Sequence, residues 1–66
     1  MSRYEGDPRV VDYGNGIIEV HGGRRTVEVH EESQFGAWRV IRPDAPADDF
    51  RQTRDAAIGR AFEVAA

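Results

Sequence analysis

The chain contains no cysteine, no lysine and no long apolar run. Without cysteine, disulfides and thiolate metal sites are excluded. A secreted domain of 66 residues would usually need such cross-links, so a reducing, cytoplasmic location is predicted. No apolar run is long enough for a signal peptide or a membrane span, and no membrane partner is expected.

All nine basic residues are arginine, which indicates a high-GC genome, of a bacterium or a phage, because arginine codons are mostly GC-rich. Twelve acidic residues outnumber them and set the net charge at -3. This balance argues against non-specific nucleic-acid binding, which needs a cationic excess. With 39% hydrophobic residues, the chain can form one domain with a modest core, near the lower size limit for independent folding.

Apolar residues alternate with polar ones in three short segments, which is typical of half-buried strands. The alternating pairs are Ile18 and Val20, Val27 and Val29, and Trp38 and Val40. A further strand is predicted before them at residues 10–13, so that the four strands in chain order are 10–13, 17–21, 26–31 and 37–42. Residues 1–9 are polar and interrupted by glycine and proline, so a flexible arm is predicted there, followed by a single domain at residues 10–66.

The last part of the chain has the pattern of an amphipathic helix. Thr53 is a good N-cap, and an apolar stripe follows it at helical spacing. Gly59 interrupts the helix and predicts close approach of another backbone. A proline-containing loop at residues 43–47 precedes the helix, and residues 48–50 are expected to lead into it. The predicted fold is α+β: a three- or four-stranded antiparallel meander with one C-terminal helix packed on one face.

The loop between the second and third strands decides their register. A four-residue loop at residues 22–25 brings the apolar residues of both strands onto one face, whereas a two-residue turn leaves some of them in water. The predicted pairs are therefore Val20 with Val27 and Ile18 with Val29.

The flanking strands are placed by similar reasoning. A turn at Asn15 and Gly16 is typical of a type I′ hairpin. It pairs Val11 with Val20, Asp12 with Glu19, and Tyr13 with Ile18. On the other side, the predicted pairs are Val29 with Trp38, Val27 with Val40, and Glu28 with Arg39, the last being a favourable cross-strand pair.

This register places a charged row on the sheet face away from the helix. The row consists of Asp12, Glu19, Glu28 and Arg39, with the apolar residues Val10, Ile17 and Ile41 beside it. Like charges directly opposite each other are destabilising, so the side chains either extend into water, are neutralised by arginines, or bind a cationic partner. A plain solvated face is one interpretation. The functional hypothesis is a small non-catalytic protein-interaction module, a regulator or inhibitor, that binds a basic protein surface through Asp12, Glu19, Glu28, Arg39, Ile17 and Ile41.

Other function classes fit the sequence less well than this hypothesis. The alternative is a nucleic-acid-binding module that uses Arg24, Arg25, Arg39 and Arg42. An open edge strand also permits a homodimer. No cofactor or metal is expected, because His21 and His30 are separated along their strands. No enzyme activity is expected, because a small sheet face offers no cleft and Ser33 has no partner acid and base in the sequence.

The C-terminal half resembles three kinds of small domain. The segment from Gly36 to Arg42, with Phe50, Thr53 and the alanines that follow, is similar to an uncharacterised bacterial sheet-plus-helix domain with a Trp-x-Val strand. It also resembles the DNA-binding domains of ethylene-response factors and phage integrase arms, which implies an arginine- and tryptophan-bearing sheet on DNA. The Pro43-Asp44-x-Pro46 loop resembles that of HicB-type antitoxins, which implies neutralisation of a small RNase partner.

Overall fold

The computed structural model describes residues 2–66, so Met1, the first residue of the predicted arm, lies outside the described residues. A five-stranded antiparallel sheet is followed by one helix. The elements are β1 (Val10–Asp12), β2 (Ile17–His21), β3 (Thr26–Glu32), β4 (Ala37–Val40), β5 (Asp49–Arg51) and α1 (Arg54–Ala65). The strands lie in chain order across the sheet. The α+β class and the C-terminal helix are confirmed, but the sheet has five strands, not three or four.

The core lies between α1 and one face of the sheet. Its nine buried residues are Ile18, Val20, Val27, Val29, Val40, Ala57, Ile58, Ala61 and Ala65. Trp38 and Phe62 are partly buried and pack against this cluster, as the sequence predicts. The sheet supplies branched side chains and the helix mostly alanines, so the two layers approach closely. All buried side chains of the described residues are apolar.

The register between β2 and β3 is confirmed. Val20 lies opposite Val27 and Ile18 opposite Val29, with a four-residue loop between the strands. The Gly22 N–H closes the loop by donating to the Arg25 carbonyl at 3.1 Å. Because both strands carry alternating apolar residues, only this register buries all four side chains together.

The predicted register between β1 and β2 is wrong by one residue. The observed pairs are Val10 with Val20, Val11 with Glu19, and Asp12 with Ile18. Gly14 and Gly16 both adopt positive φ, whereas Asn15 does not, so the Asn-Gly pair does not form the predicted turn. The Asp12 carboxylate accepts a hydrogen bond from the Gly14 N–H at 2.8 Å, which stabilises a longer loop.

The predicted register between β3 and β4 is wrong by two residues. The observed pairs are Val29 with Val40, His30 with Arg39, Glu31 with Trp38, and Glu32 with Ala37. The strand β3 extends to Glu32, and a 3₁₀ turn at Ser33–Phe35 leads to Gly36, whose φ of 61° reverses the chain. Because the shift is even, every side chain keeps its predicted face.

The fifth strand, β5, lies where the sequence predicts a segment that leads into the helix, at residues 48–50. It pairs Arg39 with Phe50, and Trp38 with Arg51. Its three residues include only one apolar side chain, so no periodicity in the sequence indicates a strand. The hydrogen bond from the Arg42 N–H to Asp48 Oδ1, at 2.8 Å, bridges the ends of the proline loop and positions β5 beside β4.

The N-cap of α1 is confirmed, because Thr53 Oγ1 accepts a hydrogen bond from the Ala56 N–H at 3.1 Å. The backbone approach predicted at Gly59 is wrong, since its nearest neighbour outside the helix is the Tyr4 side chain. The close backbone approach is at Gly22, beside Ala65.

Residues 2–9 form turns that pack beside α1. Tyr4 lies against Phe62, with ring centroids 5.6 Å apart, and the Arg9 guanidinium stacks over the same Phe62 ring at 4.4 Å. Asp55 accepts hydrogen bonds from the Ser2 hydroxyl at 2.7 Å and from the Arg3 N–H at 3.0 Å. Flexibility of the arm stays a prediction. Any motion of the arm must break these contacts with Phe62 and Asp55.

Candidate functional site

The helix covers one face of the sheet, and in the described part of the chain the other face is open to solvent. We call this open side the outer face. Strand alternation brings the following side chains to it: Val11, Tyr13, Ile17, Glu19, His21, Thr26, Glu28, His30, Glu32, Ala37, Arg39, Ile41 and Phe50. It is a mixed surface of carboxylates, histidines and apolar groups.

Two carboxylates at the centre of the outer face form what we call the acidic pair. Glu19 and Glu28 lie directly opposite each other on β2 and β3. Opposed Cβ atoms in a sheet are separated by about 4.5–5.5 Å, so the two negative charges repel each other. Both residues therefore favour a nearby cation.

Each member of the acidic pair has polar neighbours on the outer face. Glu19 accepts a hydrogen bond from the Tyr13 hydroxyl at 2.7 Å, and its Oε1 lies 3.3 Å from His21 Nε2. This hydrogen bond to a carboxylate raises the pKa of Tyr13, because it stabilises the protonated phenol. Glu28 Oε1 lies 2.8 Å from His30 Nε2. The carboxylates are thereby oriented along the sheet surface.

The predicted four-residue row is wrong at two positions. Asp12 lies opposite Ile18 on the helix side of the sheet, where it accepts a hydrogen bond from Arg54 at 3.0 Å. Arg39 lies opposite His30 and not Glu28. Val10, predicted beside the row, packs against the core instead. The one-residue slip of β1 accounts for Asp12 and Val10, and the longer β3 accounts for Arg39.

Beside Glu28 the outer face is concave. A cavity of about 340 Å³ is lined by Thr26, Val27, Glu28, His30, Ile41 and Pro43, and we call it the Glu28 groove. The Ile41 N–H donates to the Glu28 carbonyl at 3.0 Å, which fixes the proline loop against β3. Ile41 and Pro43 supply apolar walls, and Glu28 supplies a half-exposed carboxylate. This arrangement can hold a side chain that is apolar along its stem and cationic at its tip.

Three of the four arginines of the nucleic-acid alternative have carboxylate partners. Arg25 lies 2.8 Å from Asp44, Arg39 lies 2.8 Å from Glu32, and Arg42 lies 3.1 Å from Asp49. Arg24 is exposed, and no ion pair joins it to any residue from 2 to 66. The four arginines do not form one patch of free cations.

Within the described residues, no group of three histidine, cysteine or acidic side chains is arranged to hold a metal ion. Nor does the part of the chain that the structure describes include a helix of the length and apolarity that crossing a membrane requires. Comparisons with protein-family models, curated proteins and solved structures give no match. The three resemblances seen in the sequence stay predictions, and the geometry of the outer face is the basis for assigning a function.

The sequence places Glu19, Glu28, Ile17 and Ile41 on the outer face, and the structure brings Glu28 and Ile41 together in one groove. Sequence reasoning misses Tyr13, Pro43 and Phe50. A one-residue change in the β1 register is enough to move Tyr13 onto this face. Pro43 and Phe50 depend on the path of the proline loop, for which the sequence contains no periodic signal.

Proposed function

We propose that the protein is a small non-catalytic protein-interaction module whose outer face binds a basic protein surface. The observation that carries the proposal is the Glu28 groove, where a carboxylate and two apolar walls converge beside a second carboxylate. A lysine or arginine side chain of a partner matches this groove, because its methylene stem is apolar and its head is cationic.

Electrostatics supports the same partner class. The acidic pair repels itself in the free protein, and a cation placed between the two carboxylates relieves that repulsion. Charge complementarity of this kind accelerates association and weakens as salt rises. Half-buried apolar side chains beside the pair, Ile17 and Ile41, add contact area that water would otherwise cover.

A regulatory or inhibitory role, in the cytoplasm of a high-GC bacterium or encoded by its phage, is part of the same proposal. Neutralising the cationic surface of a partner would block whatever anion that surface normally binds. Homodimerisation through an edge strand stays a prediction. The edges are β1 and β5, whose three residues each offer few free backbone groups.

The test uses a short arginine-rich peptide with blocked ends as the probe, and isothermal titration at two salt concentrations. We expect Glu28→Gln to weaken binding about tenfold, because a charge-assisted hydrogen bond is lost from the groove. Glu19→Gln should weaken it less. The matched control is Glu5→Gln, which removes an exposed carboxylate from the arm.

If Glu28→Gln and Glu5→Gln weaken peptide binding equally, only net charge matters, and binding in the Glu28 groove is refuted. A melting temperature of Glu28→Gln equal to or above that of the parent shows that the fold is intact, because removing one of two opposed charges relieves repulsion. A mobility shift of duplex DNA at low salt, lost in an Arg24→Gln and Arg25→Gln double variant, would favour the nucleic-acid alternative.

A further inference from the structure

A second concave surface lies outside the outer face, where the arm crosses α1 next to β5. It is a cavity of about 500 Å³, and we call it the arginine groove. Its lining includes Arg3, Tyr4, Arg51, Asp55, Gly59 and Arg60. Sites for small molecules commonly have volumes of roughly 300–1,000 Å³. The arginine groove is thus large enough for a compact organic ligand.

The carboxylates that line the arginine groove already have partners. Asp55 accepts hydrogen bonds from the arm, which lower its pKa, the Arg3 N–H first and then the Ser2 hydroxyl. Glu63 accepts a hydrogen bond from Arg60 at 2.9 Å. Asp55 keeps its negative charge, because both arm donors are neutral, and Arg54 Nη1, 3.9 Å from Asp55 Oδ1, partly offsets that charge.

Two guanidinium groups at the arginine groove have no carboxylate partner among residues 2–66. Arg3 lies over the Tyr4 ring at 5.8 Å, and Arg51 donates to the Phe50 carbonyl at 2.8 Å. By contrast, Arg60 is bound by Asp49 at 2.6 Å. Arg3 and Arg51 leave donors available for an anion, since each guanidinium carries five N–H groups.

Gly59 gives the arginine groove its depth. A Cβ at this position would lie 3.2 Å from the Tyr4 hydroxyl, which is a tight contact. The buried positions of α1 are Ala57, Ile58, Ala61 and Ala65, so the core does not require glycine at 59. Glycine lowers helix stability relative to alanine. The Tyr4 hydroxyl accounts for glycine at this position, and the missing side chain leaves the wall of the groove beside Tyr4 open.

We propose that the arginine groove binds a small organic anion through its carboxylate or phosphate groups. Arginine is suited to both, because its planar fork of N–H donors matches two oxygens of either group. This site is separate from the outer face, and it does not depend on the function proposed there.

The test is a ¹⁵N–¹H titration with citrate and, separately, inorganic pyrophosphate, with sodium chloride adjusted to constant ionic strength. We expect saturable shifts at the amides of Arg3, Arg51 and Gly59. Arg51→Gln should weaken binding about tenfold. Arg24→Gln, which removes an exposed arginine elsewhere, is the control and should leave the affinity unchanged. If only citrate gives saturable shifts, the natural ligand carries carboxylates. If only pyrophosphate does, the natural ligand carries phosphates.

Gly59→Ala separates binding from stability. We expect it to weaken binding severalfold, because the new methyl narrows the groove. Thermal stability should change little, because the higher helix propensity of alanine offsets the 3.2 Å contact with the Tyr4 hydroxyl. Arg3→Gln, a change in the arm outside the sheet, should weaken binding as Arg51→Gln does. Shifts that never saturate, or equal affinities in Arg51→Gln and Arg24→Gln, would overturn the proposal.

Discussion

At the scale of single residues, Gly22 is the glycine with the least free space around it. A Cβ there would overlap the Ala65 Cβ and lie 3.0 Å from the Ala65 backbone. The N–H groups of Arg24 and Arg25 donate to the Ala65 carbonyl at 2.8 and 3.3 Å. The β2–β3 loop therefore caps the end of α1, and only glycine permits the approach.

We expect Gly22→Ala to lower the free energy of unfolding by about 1–3 kcal/mol, because the added methyl overlaps Ala65 and separates the loop from the helix. Gly23→Ala is the matched control, since a Cβ at Gly23 meets nothing within 4 Å. Urea unfolding of both variants measures the difference. Equal stability of the two variants would contradict the close contact.

At the scale of elements, ion pairs connect the ends of the sheet to the helix. Asp49 on β5 is bound by Arg60 of α1 at 2.6 Å and by Arg42 at 3.1 Å. Asp12 on β1 is bound by Arg54 of α1 at 3.0 Å. The two edge strands are too short for many backbone hydrogen bonds, so these side chains help to hold them against α1.

These pairs predict how stability depends on pH. Hydrogen bonds from the Arg60 and Arg42 side chains lower the pKa of Asp49, and those from the Gly14 N–H and then Arg54 lower the pKa of Asp12. The Arg9 side chain lowers the pKa of Asp7 to about 2. A carboxyl whose pKa is lowered by folding adds stability that is fully present above its unfolded pKa, near 3.9. That stability is lost as the pH falls toward the folded pKa.

We therefore expect the melting temperature to be level above about pH 5 and to fall between about pH 4 and pH 2. Asp49→Asn should be less stable than the parent at pH 6, with a smaller decrease on acidification, because one of the responsible carboxyls is gone. Thermal melts followed by circular dichroism measure both. A melting temperature that stays constant down to pH 2 would contradict these pairs.

The predictability of each element depends on how many apolar residues it contributes. The β2–β3 pairing is predictable because Ile18, Val20, Val27 and Val29 can be buried together in one register only. The strand β1 offers apolar residues at both 10 and 11, so its pattern does not decide which one faces the helix. The Glu28 groove could not be predicted in full, because Pro43 reaches it through a loop without periodicity.

At the scale of the whole molecule, the arm completes the packing around α1. Tyr4 covers Phe62 and packs against the core, while Ser2 and Arg3 bind the first turn of the helix through Asp55. A domain of 66 residues has little stability in reserve, so contacts of this kind affect the whole fold.

We expect Tyr4→Ala to lower the free energy of unfolding by about 1–2 kcal/mol, because it removes a half-buried ring and its contact with Phe62. Tyr13→Ala, which removes an exposed tyrosine from the outer face, serves as the control and should change stability less. Chemical unfolding measures both. A neutral Tyr4→Ala would support the flexible arm that the sequence predicts.

The most direct measurement of the central claim is the footprint of an arginine-rich peptide on the ¹⁵N-labelled protein. Binding through the outer face predicts saturable shifts at Glu28, His30 and Ile41, with α1 unaffected. Shifts confined to α1, or spread evenly over every exposed carboxylate, would contradict binding in the Glu28 groove.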